Sequence, residues 1–150
     1  LIKTLGDKAV TTHADWLTQQ IVQGRSYRGI QKDLQGRWGT TSAHAEVLAR
    51  DQVGKANAAV IEKTQAAAGI DRYIWRTTMD GRQRKSHEAM NGICVLWSSP
   101  PPGTGTYNQP AHPGRAIQCR CSAEPVIPEP LRSQLGLGPL PQPGQNVPRA

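Results

Sequence analysis

Four side chains in the second half of this 150-residue chain have the chemistry to hold a soft divalent metal: His87, His112, Cys119 and Cys121. Zinc takes imidazole nitrogens and thiolates, and four of them close a tetrahedral structural site. The cysteines stand as Cys-x-Cys, a spacing that puts both on one side of an extended strand. If all four residues converge, one zinc per chain would clip down the long Pro-rich stretch between them. The pattern is tighter than the familiar C-x₂₋₄-C and H-x₃₋₅-H zinc spacings. The competing expectation is two reduced thiols and two histidines in ordinary hydrogen bonds.

A second cluster lies in "MDGRQRKSHEAMNG", residues 79–92. A carboxylate flanked by guanidiniums makes bidentate, charge-assisted bonds that fix a turn. Asp80, Arg82, Asn91 and Gly92 are therefore expected to be structural, framing a turn and a short helix. Arg84, Lys85, Arg115 and Arg120 are the cations expected to meet nucleic-acid phosphates or an acidic partner. His87, Asn91 and His112 would be the set for a metal-dependent nuclease, with histidine as base and a metal on the phosphate. No second acidic ligand stands near them in the sequence. His13 and His44 fall in helical segments and are expected at the surface or in helix packing.

These residues need elements to position them. "ADWLTQQIVQG" sets Trp16, Leu17, Gln20 and Ile21 at helical spacing and stops at Gly24. A new helix starts after Ser26, a natural N-cap, with Tyr27, Ile30 and Leu34 as its apolar stripe. "TSAHAEVLARDQVGKANAAVIEKTQAAAG" predicts the longest helix, with Leu48, Val53, Ala56 and Val60 recurring along it and Gly69 as its C′ residue. "IDRYIWRTTMDG" then alternates, Tyr73, Trp75 and Thr77 against Ile74 and Arg76, and breaks at Asp80-Gly81: a strand. Residues 82–90 predict a short helix, "ICVLW" a second strand and "AIQCRCSAEPV" a third extended piece. Five prolines exclude regular structure from residues 98–116. The Pro- and Gly-rich end after Ile127 predicts an extended arm.

Composition bounds the partners. The chain has 18 Lys+Arg against 11 Asp+Glu, a formal net charge of +7, which favours polyanions. The basic residues are scattered, so a plain basic surface is the alternative. There is no Phe, and aromatics make up 5%, so the core must rest on aliphatic residues and a few Trp. No apolar run is long enough to span a membrane. The opening "LIKTLGDKAV", without an initiator Met, is taken as an internal piece or processed product. Three cysteines make no disulfide framework and favour a reducing compartment.

The order of these pieces resembles the phage Mu F-like family of head morphogenesis proteins, also called minor capsid proteins. The resemblance runs over roughly residues 20–127. It rests on "GRSYRGIQKDLQGRWG" and "ARDQVGKANAAV", then "GIDRYIWRTTMDGRQRKSHEAMNG", then "HPG" and "CRC" before a Pro-containing exit. The family's signature positions fall on Tyr73, Trp75, Asp80, Arg82, His87, Gly92, His112, Pro113, Cys119, Arg120 and Cys121. Where many relatives carry Cys-x-x-Cys after Asp-x-Arg, this chain has Arg84 and His87, which leaves His87 as the sole ligand from that pair.

The resemblance implies a minor structural component of a tailed-phage virion, present in few copies, acting in capsid assembly near the portal. It is expected in the phage head, and in the host cytoplasm during assembly. The implied partners are the portal protein, the major capsid protein and packaged double-stranded DNA, with no membrane and no small-molecule substrate. The implied role is not enzymatic. Two other classes stand beside it: a metal-dependent nuclease or toxin-like enzyme, and a zinc-stabilised nucleic-acid-binding module. The expected fold is α+β: a helical region over 1–69, a small mixed domain with short strands and a long Pro-rich loop over 70–127, and an extended Pro/Gly-rich arm over 128–150.

Overall fold

The strand that carries Tyr73 and Trp75 is central, because it has a partner on each edge. The structure, a computed structural model, describes residues 16, 17, 19–38 and 42–149. His13 and the side chain of His44 lie outside the described residues. The architecture is α+β, as the alternating and 3.6-residue patterns predict. The chain divides into two compact units, residues 1–56 and 57–150.

In the first unit the helical stretch containing Trp16 and Leu17 ends at Gly24, with φ +72°. Gly24 N–H bonds to the Ile21 carbonyl and Arg25 N–H to the Gln20 carbonyl. These are the two bonds by which a left-handed glycine satisfies the last carbonyls of a helix. The next helix, Tyr27–Trp38, is capped as expected: Ser26 Oγ accepts the Gly29 N–H at 3.3 Å. A helix over Ser42–Ala67 follows. Leu17, Ile30, Leu34, Ala45 and Ala49 form the buried cluster of this unit, with Trp16, Ile21, Leu48 and Val53 packed against it. Val60, expected in the apolar stripe, is 62% exposed.

In the second unit the long helix ends at Gly69 with the same pair of closing bonds, Gly69 N–H to Ala66 and Ile70 N–H to Gln65. Strands β1 (Arg72–Arg76), β2 (Cys94–Leu96) and β3 (Ser122–Pro125) form an antiparallel sheet in the order β2-β1-β3. Tyr73 pairs with Val95 on one side and Pro125 on the other, and Trp75 stands opposite Ala123.

Tyr73, Ile74, Trp75 and Arg76 are all buried, so both faces of β1 are covered. Tyr73 and Trp75 join Val95 and Ala123 in one core, against Ile61, Met90, Ile93, Trp97 and Cys121. Ile74 joins Cys94 and Val126 on the other face, where Leu140 and Val147 cover it. That cover comes from the segment expected as an extended arm. After a short helix at Leu131–Gln134, it runs back along β2. Cys94 N–H bonds to the Gln145 carbonyl, Gly144 N–H to the Cys94 carbonyl and Val147 N–H to the Gly92 carbonyl. The second edge of β2 is thereby hydrogen-bonded instead of open. No described helix is long and apolar enough to cross a membrane.

Candidate metal centre

Three of the four expected ligands meet. His87, Cys119 and Cys121 bring their ligating atoms within 4.8 Å of one another. His87 is carried by the short helix Lys85–Ala89 and is 2% exposed. Its ring lies edge-on to Trp75 of β1, with centroids 5.4 Å apart. The cysteines stand in the extended run that leads into β3. Alternation turns both toward His87 and sends Arg120, between them, the other way to Asp80.

The imidazole is held in one tautomer. Nε2 lies 2.7 Å from the backbone carbonyl of Thr104, and a carbonyl can only accept. A ring proton is therefore on Nε2, and Nδ1 faces Cys121 Sγ, 3.4 Å away, and Cys119 Sγ, 3.5 Å away. Thr104 is fixed in turn inside the Pro-rich loop. Its hydroxyl sits between the carbonyls of Pro101 at 2.8 Å and Ala111 at 2.6 Å and accepts the Ala111 N–H.

The thiols differ electrostatically. A hydrogen bond from Cys121, aided by the Gly114 N–H at 3.3 Å, holds the Cys119 thiol below its ordinary range. Cys121 moves up, because it keeps the shared proton and is partly buried. The buried Trp75 indole N–H lies in reach of the Cys121 sulfur without completing a well-aligned bond. Cys94 is elsewhere, buried in the opposite core, where desolvation pushes its thiol up.

His112 is not at this site. Its Nδ1 meets the Tyr73 hydroxyl at 2.9 Å, and its ring packs on Trp97 with centroids 4.8 Å apart. Burial holds its imidazole below the usual histidine range and holds the Tyr73 phenol well above its own, so the phenol donates and the neutral ring accepts. The four side chains expected from sequence thus separate into three that converge and one aromatic-packed histidine.

The turn residues are tied down, with one change of partner. Asp80 Oδ1 accepts the backbone N–H of Arg82 at 3.2 Å, while the guanidinium gripping the Asp80 carboxylate is Arg120. The Arg120 hydrogen bonds hold the Asp80 carboxyl below the usual carboxylate range. Asn91 Oδ1 accepts the Thr77 N–H at 3.1 Å. Gly92, with φ +88°, lies so close to the returning C-terminal segment that a Cβ there would meet Asn146 Oδ1 at 2.6 Å.

The cations expected to contact a partner are divided. Arg120 is spent on Asp80, Arg115 pairs with Glu62, and Arg84 donates to the Ile117 carbonyl at 2.8 Å. The exposed Lys85 and Arg82 side chains engage no partner among the described residues. Sequence reasoning missed three fastening groups. Arg76 is a buried guanidinium held by Glu124 and by the Val147 carbonyl at 2.9 Å. Gln65, also buried, donates to the Ala123 carbonyl and accepts from the Trp97 indole, both at 3.0 Å. Thr104 is the third. The only advance signal was a Gln and an Arg at otherwise apolar-facing positions.

The family model described as "Phage Mu protein F like protein" matches residues 11–124. A Haemophilus influenzae protein described as "Uncharacterized protein" is 30% identical over 127 residues, 85% of this chain. The chain spans 27% of that relative's length. No solved structure matches it.

Proposed function

The chain belongs to the phage Mu F-like family, and from that premise we propose that it is part of a minor head protein of a tailed bacteriophage, acting in capsid assembly near the portal. The observation that carries this reading is the family match over residues 11–124, taken with the use to which the signature side chains are put. Asp80 and Arg120 fasten each other, and His112 packs on two aromatic rings. Such use suits a rigid interaction domain better than a catalytic one. His87, Asn91 and His112, the nuclease set, make three separate bonds to Thr104, Thr77 and Tyr73.

In this reading the portal and the major capsid protein are the protein partners, and packaged double-stranded DNA is the polyanion. The net charge of +7 and the exposed cations Arg82 and Lys85 support the last of these. The chain resides in the phage head and assembles there from the host cytoplasm.

The test is to purify heads of the parent phage with and without the gene for this protein, and to place the chain in the particle by site-specific cross-linking. Low-copy presence next to the portal, with malformed heads in its absence, is expected. Normal heads that never contained the protein would end the proposal. A DNA-retention assay on the purified chain addresses the DNA contact, whose affinity should fall steeply as salt rises.

A further inference from the structure

We propose that His87 Nδ1, Cys119 Sγ and Cys121 Sγ bind one zinc-class divalent ion as a three-residue protein site, with the fourth position taken by a non-protein ligand, a water in the isolated chain. The inference rests on geometry and does not depend on the head-protein reading.

Zinc–nitrogen bonds of about 2.0–2.1 Å and zinc–sulfur bonds of about 2.3 Å, opened to a tetrahedral angle, set nitrogen and sulfur about 3.6 Å apart. The Nδ1 to Sγ separations here are 3.4 and 3.5 Å. Both nitrogen-to-sulfur edges are thus close to those of such a tetrahedron, and the two sulfurs lie within 4.8 Å of each other.

The surroundings match what a metal needs. A ligating histidine gives its other ring proton to a carbonyl or carboxylate, which fixes the tautomer and aims the lone pair. Thr104 supplies that carbonyl, and the loop that holds Thr104 is cross-bonded to itself. Thiolates accept nearby N–H groups, and Gly114 N–H already points at Cys119 Sγ. The Trp75 indole N–H beside Cys121 lacks a well-aligned acceptor and would gain a stronger one in a thiolate. No other His, Cys, Asp or Glu of the described residues joins the group, so the fourth ligand is not one of them. Two thiolates and one imidazole select zinc over magnesium or calcium, which prefer oxygen.

The ion would join the His87 helix, the Cys119–Cys121 run and, through Thr104, the Pro-rich loop, three pieces that lie well apart in the sequence.

The test uses the full chain, purified reduced and without a polyhistidine tag. It is dialysed against zinc, and against cobalt in parallel, and bound metal is counted by elemental analysis. One ion per chain is expected, and the cobalt form should show thiolate-to-metal charge transfer with the visible absorption of a tetrahedral site. Cys119→Ser and Cys121→Ser should each lose the ion, whereas His112→Ala should keep it. A folded wild-type chain that takes up no metal overturns the proposal, as does retention of the ion in either cysteine variant. Loss of the ion in a folded His112→Ala chain would also overturn it, by restoring His112 as a ligand. Should a cysteine variant fail to fold, the wild-type count and the cobalt spectrum still decide.

Discussion

His87 reaches the backbone carbonyl of Thr104 across 17 residues of sequence, at 2.7 Å, and this bond joins the short helix to the Pro-rich loop. The imidazole is also packed edge-on against Trp75. Replacing it removes both contacts at once and leaves a buried carbonyl without its donor.

In metal-free protein, His87→Ala should therefore cost roughly 2–4 kcal/mol, from the cavity and the orphaned acceptor together. Urea unfolding would measure it, as a lower midpoint with the slope unchanged. A cost within a few tenths of a kcal/mol would mean that the loop does not depend on this bond.

His112 predicts a pH dependence. Burial lowers its folded-state pKa, so the unfolded chain binds the proton more readily. Its contribution is fully present above the ordinary histidine pKa of about 6.5 and is lost as pH falls through that value toward the folded pKa. Stability should decline as pH falls from about 7 to 5.5, and His112→Gln should flatten part of that slope. Unfolding midpoints at several pH values, compared between the two proteins, would show it. An unchanged slope in the variant would place the titration elsewhere.

The cysteines should differ in reactivity when no metal is bound. Cys119 is held toward the thiolate and is partly exposed, whereas Cys94 is 1% exposed with its thiol pushed up. The thiolate is the nucleophile, so limiting iodoacetamide at neutral pH should modify Cys119 first and Cys94 last. Peptide mass spectrometry reads the order directly. Prior alkylation of Cys94 would contradict the burial assigned to it.

Local signals in the sequence carried the elements well. Gly24, Ser26 and Gly69 announced helix ends because their conformational freedom or capping oxygen acts within one turn of chain. The Cys-x-Cys spacing announced that both thiols share a side, which depends only on strand alternation. What sequence could not resolve is which distant groups meet. His112 carries the same ligand chemistry as His87, and its assignment to Tyr73 and Trp97 is decided by how the Pro-rich loop folds. Asp80 had Arg82 two residues away, yet the guanidinium that grips it comes from Arg120, 40 residues on. The composition of the last twenty residues gave no hint of return to β2, because their docking uses mainly backbone groups, among them the Pro141 and Val147 carbonyls held by Arg72 and Arg76, with Leu140 and Val147 as apolar contacts.

That return makes Gly92 sensitive to a single added methyl group. Its φ of +88° already disfavours any residue with a side chain. An added Cβ would also stand 2.6 Å from Asn146 Oδ1 and 3.2 Å from the Val147 carbonyl. The Asn146 side chain can swing away, but the Val147 backbone is held by its own N–H bond to the Gly92 carbonyl. Gly92→Ala should therefore destabilise the chain by about 1–3 kcal/mol and loosen the C-terminal segment first. Limited proteolysis should cut after Ile127 earlier in the variant than in the wild type, while hydrogen exchange in β1 stays slow. Equal cleavage rates in the two proteins would mean that the segment is not seated against Gly92.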